Sequence, residues 1–175
     1  MTTPFEAGGY GFAPATRADL PLLHVWLSAS HVREWWGDPD VEIELIREGL
    51  AMDWVESYLV STGGTPFAYL QTWDLFGEPG YCPFPEQPSG TRGVDPFIGP
   101  PHMVGLGYGS GMLSTFMIRC FEQGAPRFII DPDPANRRAI AAYCRAGFVP
   151  QGERDTDEGR ILFMVRDSGR FGTVQ

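Results

Sequence analysis

The residues with the plainest chemical potential are Val104-Gly105-Leu106-Gly107-Tyr108-Gly109-Ser110-Gly111, followed by the apolar run Met112 to Phe121. The order reads as a strand end, a glycine loop and a helix start. Glycine at alternate positions removes the Cβ atoms that would hold an anion away from the backbone. The helix that follows adds its unpaired first-turn N–H groups and the positive end of its dipole. Such a loop suits a pyrophosphate. A glycine-rich turn without chemical meaning has the same spacing, so the loop taken alone leaves both readings open. Two familiar phosphate loops are excluded. The dinucleotide fingerprint needs a third glycine three positions after its second, but Ser110 follows Gly107 and Met112 follows Gly109 at that offset. The nucleoside-triphosphate loop needs a lysine after its last glycine, and here Met112 follows Gly111.

Metal chemistry finds no support in the residue pattern. His24, His31 and His102 are scattered, and Cys82, Cys120 and Cys144 are odd in number and widely spaced, so free thiols in or near the core are expected rather than a zinc site or a disulfide framework. The 22 acidic residues outnumber the 13 basic ones, for a formal charge of −9. That balance opposes nucleic acid and favours cationic ligands. No apolar run approaches the ~20 residues that cross a bilayer, and the opening MTTPFEAGGYGF has neither a basic segment nor an apolar stretch. The expectation is a cytoplasmic protein that binds neither membrane nor nucleic acid. A length of 175 residues with 43% hydrophobic content suits one domain spanning 1–175.

The elements that must position the loop follow from periodicity and punctuation. Tyr10 to Ala13 reads as a first strand, and Thr16 with Asp19 forms a capping box for a helix carrying Leu20, Leu23, Trp26 and Leu27. Ser28 to Asp40 reads as a connection with an exposed run, His31 to Gly37, before a helix over Val41 to Gly49. Asp53 to Ser61 and Pro66 to Trp73 flank Thr62-Gly63-Gly64-Thr65 as antiparallel strands. The Pro- and Gly-rich segment Asp74 to Thr91 is long enough to suggest a functional loop, and Gly93 to Ile98 is extended. After the glycine loop, Met112, Leu113, Phe116, Met117, Cys120 and Phe121 form one helical stripe that Gly124 ends. Phe128 to Ile130 is a buried strand, and Asp131-Pro132-Asp133-Pro134 caps a helix running to Ala146 with Gly147 as terminator. Phe148 to Glu153 and Ile161 to Val165 close the chain as strands. The predicted class is α/β with a mixed sheet, antiparallel first and then β-α-β-α-β around the glycine loop.

Three segments together resemble the GCN5-related N-acetyltransferase (GNAT) family: the glycine loop, Asp131-Pro-Asp-Pro-Ala-Asn136-Arg-Arg-Ala-Ile, and Tyr143-Cys-Arg-Ala-Gly147-Phe148. The loop is similar to that family's acyl-coenzyme A motif, Q/R-x-x-G-x-G/A, with Val104 at the Gln/Arg position, where backbone N–H groups make most of the contact. Within the family, the likeness points to the bacterial aminoglycoside 6′-N-acetyltransferases. It is carried by Trp26-Leu27, Ser30-His31-Val32, Glu34-Trp35-Trp36-Gly37, Tyr69-Leu70-Gln71, Arg92-Gly93-Val94-Asp95, Asp131-Pro132 and Ala139-Ile140. Tyr81 to Gly90 is where the chain is least like those enzymes. The resemblance implies a central, mostly antiparallel twisted sheet flanked by helices, with acyl-CoA in the splay between central strands.

The resemblance also implies roles. Val104, Gly105, Leu106, Gly107, Tyr108, Gly109 and Ser110 would hold the pyrophosphate of acetyl-CoA, and Asn136 would hydrogen-bond its pantetheine arm. On spacing alone, Asn136 is equally a polar residue of a first helical turn. Tyr143 corresponds to the tyrosine beside the thioester sulfur and is the candidate general acid, although its spacing also suits a core aromatic in the stripe Ala139, Ile140, Tyr143. Asp95 corresponds to the acid beside the acceptor amine, as base or as electrostatic anchor, while Asp95-Pro96 by itself reads as a turn initiator. Trp35, Gln71, Trp73, Asp74, Asp131 and Glu158 are candidates for holding a polycationic sugar, with one of Trp35 and Trp36 expected in the core.

The expected activity is acetyl transfer from acetyl-CoA to an amine of a cationic small molecule, by direct attack in a ternary complex, without a metal. The 6′-amine of an aminoglycoside leads. A siderophore hydroxylysine precursor, a polyamine, a protein N-terminus and a non-catalytic acyl-CoA or drug-binding module stand as alternatives. A monomer or a homodimer is expected.

Overall fold

Strands rich in β-branched and aromatic residues build one sheet, and what covers its two faces follows from the side-chain alternation along them. The computed structural model describes residues 3–157 and 159–169. In chain order its elements are β1 (Phe5–Ala7), β2 (Tyr10–Pro14), α1 (Leu20–Leu27), α2 (Ser30–Trp36), α3 (Pro39–Gly49), β3 (Val55–Thr62), β4 (Thr65–Asp74) and β5 (Arg92–Ile98). Then come α4 (Tyr108–Glu122), β6 (Arg127–Ile130), α5 (Arg137–Arg145), β7 (Val149–Thr156) and β8 (Gly159–Asp167). The eight strands lie in the order β1-β2-β3-β4-β5-β6-β8-β7. Each neighbouring pair is antiparallel except β5 and β6, which the α4 crossover makes parallel.

That parallel pair is short. It holds at Arg92 with Phe128 and Gly93 with Ile129, and then the strands part. Two prolines account for the parting. Pro96, in the middle of β5, has no N–H to give a ladder, and Pro132 follows β6 two residues after its end. Gly99 N donates to Phe67 O, so by the two-residue period the N–H groups of odd-numbered β5 residues serve β4. The backbone of Val94, Pro96 and Ile98 therefore turns its hydrogen-bonding side to the opening.

One face of the sheet is covered by α4, whose stripe Met112, Leu113, Phe116 and Met117 packs with Phe12, Leu70, Val94 and Phe128. The other face divides in two. Helices α1 to α3 bury Leu23, Leu27, Val32 and Ile46 against Tyr69 and Phe97. The segment between β4 and β5 lays Leu75 and Phe84 over Ile129, Phe163 and Val165. Arg154 fastens that segment, stacking 3.8 Å from the Phe163 ring centroid and pairing with Glu86 at 2.6 Å. This long connection is thus a cover for half of the sheet.

Several boundaries differ from those expected. The run His31 to Gly37 is no exposed connection: α2 occupies it and stops at Gly37, whose φ of 95° ends a helix readily. A β1 strand precedes Tyr10, joined by the Gly8-Gly9 turn. A short 3₁₀ turn, Pro101–Met103, rather than a strand, leads to the glycine loop. Helix α4 begins at Tyr108 with Gly107 as its cap at φ 89°, so Gly109, Ser110 and Gly111 form its first turn instead of an extended loop. Helix α5 begins only at Arg137. Asn136 is its cap, accepting from Ala139 N at 3.1 Å.

Gly93 closes the stretch of β5 that pairs with β6, and the Trp73 ring lies where a Cβ would stand. Gly93→Ala is expected to cost about 1–3 kcal/mol of stability through the displaced indole, read as a lowered urea midpoint with an unchanged slope.

Candidate active site

The opening between β5 and β6 is the floor of two clefts. The first, of about 810 Å³, is lined by Val104, Gly105, Gly107, Gly109 and Ser110 from the loop and helix start, by Asn136 and Tyr143, and by His31, Trp35 and Trp36 from α2. Gly105 and Gly107 have φ of 82° and 89°, and nothing lies within 4 Å of where a Cβ would sit on either. Only glycine takes that backbone without strain, and the space kept open is the approach to the N–H groups at the start of α4. The two residues between and after these glycines serve otherwise. Leu106 points outward at 67% exposure, and the Tyr108 ring packs on Phe67 with centroids 5.4 Å apart.

The second cleft, of about 930 Å³, is lined by Glu42, Gln71, Asp95, Asp131 and Asp133. Trp35, Trp36, Pro96, Asn136 and Tyr143 line both clefts, so they form the partition where the two spaces meet. The tryptophans divide their work. Trp36 anchors α2, its ring edge-on to Phe97 at 4.9 Å and to Tyr69 at 6.3 Å, while Trp35 lies alongside it on the partition. His31 fixes α2 to β5, one ring nitrogen 2.9 Å from Ile98 O.

Asp95 reaches the second cleft because β5 register places it directly across from Gln71, whose amide donates to it at 3.4 Å. Tyr143 projects from α5, its ring edge-on to Phe148 at 6.2 Å. Burial raises the pKa of its phenol above the ordinary value, and the charges of Asp95 and Asp131 raise it further. A phenol so placed stays protonated and presents a donor.

Of the sequence candidates, Asp95, Gln71, Asp131, Trp35, Asn136 and Tyr143 come together. Trp73 shares the Gln71 face by strand alternation but lies across Gly93, outside the lining of either cleft. Asp74 is a correction. Strand β4 continues through it, so its side chain turns to the opposite face, lining a separate cleft with Glu56 and Arg92 and accepting from Phe76 N at 3.0 Å. Glu158 lies outside the described residues. The sequence reading passed over His31, Arg138 and Arg145 in the first cleft and Glu42 and Asp133 in the second. Arg138, Ala142 and Arg145 stand at i, i+4 and i+7 on one face of α5, a spacing readable from the sequence.

The two clefts carry opposite charge. The first has Arg138, Arg145 and the start of α4; the second has four carboxylates. Among the described residues no cluster suits a metal ion, and no helix is long and apolar enough to cross a membrane.

Comparison with known proteins agrees with this geometry. Residues 15–156 match the family model described as an acetyltransferase (GNAT) domain. Aminoglycoside N(6′)-acetyltransferases type 1 of Klebsiella pneumoniae and Serratia marcescens are each 30% identical over 164 residues, covering 89% of this chain and 82% of theirs. A solved structure of AAC(6′)-Ib with kanamycin and coenzyme A superposes with a TM-score of 0.79 at 30% identity, covering 90% of this chain and 94% of that one. Another, with paromomycin and acetyl-CoA, gives 0.80 at 29% identity over 91% and 93%. An open parallel pair at the sheet centre, a glycine cradle beside it and this family match have one meaning: the chain belongs to the GNAT acetyltransferase family.

Proposed function

We propose that the chain transfers the acetyl group of acetyl-CoA to the 6′-amine of an aminoglycoside, in the bacterial cytoplasm where that thioester is made. The observation that carries this reading is the meeting of two oppositely charged clefts at Tyr143. A polyanionic donor suits the arginine-lined side, and a polycationic acceptor suits the carboxylate side. The two relatives named for N(6′)-acetylation and the AAC(6′)-Ib complex with kanamycin support the choice of acceptor.

In this reading the backbone of Gly105, Gly107, Gly109 and Ser110 holds the pyrophosphate, with Val104 beside it. Arg138 and Arg145 neutralise phosphate charge, and the free amide nitrogen of Asn136 faces the pantetheine arm while its oxygen caps α5. Bound acetyl-CoA supplies the reactive thioester. Trp35 offers a flat face to a sugar ring, and Glu42, Asp131 and Asp133 hold ammonium groups.

Magnitudes decide how Asp95 and Tyr143 act. An aliphatic ammonium has a pKa of about 8 to 10 and a carboxylate one of about 4, so transfer of its proton to Asp95 before attack is uphill by about 5 to 8 kcal/mol. Asp95 therefore anchors the amine rather than deprotonating the ammonium. The ammonium gives one proton to solvent water, the neutral amine attacks with its lone pair, and Asp95 takes a second proton once the nitrogen has bonded to carbon and its N–H has become strongly acidic. A thiol near pKa 8.5 is a stronger acid than a phenol raised above about 10, so Tyr143 stabilises the departing sulfur as a hydrogen-bond donor and keeps its own proton.

Thiol release from acetyl-CoA, followed with kanamycin, tobramycin, spermidine, lysine derivatives and peptides, is expected to depend on the aminoglycosides. Turnover only with polyamines or peptides would move the acceptor, and tight CoA binding without any turnover would make the chain a binding module. Replacing Arg138 and Arg145 together by alanine should raise the Kd for coenzyme A about tenfold at low salt, with a smaller factor in 0.5 M salt, measured by calorimetry.

Tyr143→Phe should lower kcat about 10- to 100-fold. Because burial and the neighbouring carboxylates disfavour the phenolate, the donor persists as pH rises. The ratio of wild-type to variant kcat should then stay constant from pH 6 to 10. A ratio that collapses below pH 9 would show the phenol ionising in that range and contradict the assignment.

A further inference from the structure

A thread of hydroxyl and amide groups runs from the interior of the α1–α3 face out to Asp95. Ser57, Gln71 and Asp95 stand directly across from one another on three adjacent strands, and Tyr69 sits two residues before Gln71 on the same face. Tyr69 is completely buried among Leu, Ile, Trp and Phe side chains, where phenylalanine would fill the same space. Its hydroxyl lies 2.9 Å from Ser57 Oγ and donates to Gln71 Oε1 at 3.1 Å, and Gln71 Nε2 donates to Asp95 Oδ2 at 3.4 Å. Ser57 is itself buried, at 7% exposure.

We propose that Tyr69 and Ser57 are positioning residues for the acceptor carboxylate, acting through the orientation they impose on the Gln71 amide. An ionised carboxylate only accepts, so Gln71 must turn its NH₂ to Asp95 and its carbonyl to Tyr69. Tyr69 must then donate to that carbonyl, and since it has one proton, the Ser57 hydroxyl must donate to Tyr69. Every bond in the chain points the same way, which lets each polarise the next. Without the Tyr69 donor the Gln71 carbonyl loses its anchor, and the amide can swing away from the Asp95 carboxylate. A buried hydroxyl in an apolar cluster costs stability unless it is bonded, so packing does not account for the tyrosine, whereas an oriented carboxylate does.

The proposal rests on the reading that Asp95 holds and deprotonates the amine. Other titratable groups face Asp95 across the same cleft: Tyr143 from α5, Glu42 from α3, and Asp131 and Asp133 after β6. They are unchanged by a substitution at Tyr69, which makes the acid limb of the pH profile informative. A hydrogen bond to the charged form lowers a carboxylate's pKa, so losing it raises that pKa.

The test compares Tyr69→Phe and Ser57→Ala, each alone and combined with Asp95→Asn, by kcat/KM for kanamycin against pH. Melting curves confirm that each variant is folded. Tyr69→Phe is expected to lower kcat/KM about 3- to 10-fold, move the acid limb to higher pH and leave the KM for acetyl-CoA unchanged. In the Asp95→Asn background it should cost nothing further. Ser57→Ala should show the same pattern with a smaller shift, and it carries the test alone if Tyr69→Phe does not fold. The same factor lost with and without Asp95, or an unmoved acid limb, would overturn the relay and make Tyr69 a packing residue. Asp95→Asn indistinguishable from wild type at every pH would instead remove the carboxylate's role, and the relay with it.

Discussion

Both clefts exist because β5 parts from β6 after one short parallel contact. A continuous ladder here would satisfy the backbone of Val94 to Ile98 and leave no opening at the sheet centre. Pro96 removes a donor where a ladder would need one, and Pro132 ends the partner strand. The cost of an unpaired strand edge is limited because the opening is walled on every side: α2 leans over it through Trp35 and Trp36, α5 through Asn136 and Tyr143, and the start of α4 closes its end. Each wall is held by packing elsewhere. Trp36 is wedged on Phe97 and Tyr69, and buried Arg166 ties α4 to the end of α5 by donating to Ser114 Oγ and Ala146 O.

Around that opening the chain separates charge. An overall excess of acid would repel a nucleotide, yet the first cleft is lined by arginines and by the N–H groups of a helix start. Part of the excess lies on the other side, where carboxylates from α3, β5 and the segment after β6 converge. Net charge alone pointed to a cationic partner, and it is the distribution that permits an anionic and a cationic substrate to lie within one fold.

How much of this was legible in the sequence depended on range. The glycine loop, the stripe of α4 and the Asn136 to Phe148 block are local patterns, and local patterns survive folding well. The short helix α2 was misread because its cap, Ala29, makes no side-chain bond and its paired tryptophans looked like an exposed run. Asp74 was assigned to the acceptor side because β4 was ended one residue early. Strand parity then decided the face: Gln71 and Trp73 share one side, and Asp74 belongs to the other. Arg138 and Arg145 stand on one face at a spacing the sequence does show, but which face of α5 turns to the cleft is set by packing, so spacing alone does not single them out. The hydrogen-bond thread from Ser57 to Asp95 was beyond reach of any local pattern, since it depends on the register of three strands.

Two clefts of opposite charge meet at Tyr143, and in the proposed function one takes the acyl donor and the other the amine. A crystal structure with coenzyme A and kanamycin bound together decides whether they do. The expected result is the sulfur within hydrogen-bond reach of the Tyr143 hydroxyl and the 6′-nitrogen on the Asp95 carboxylate. Kanamycin seated instead in the cleft of Glu56, Asp74 and Arg92 on the far face of the sheet would contradict it.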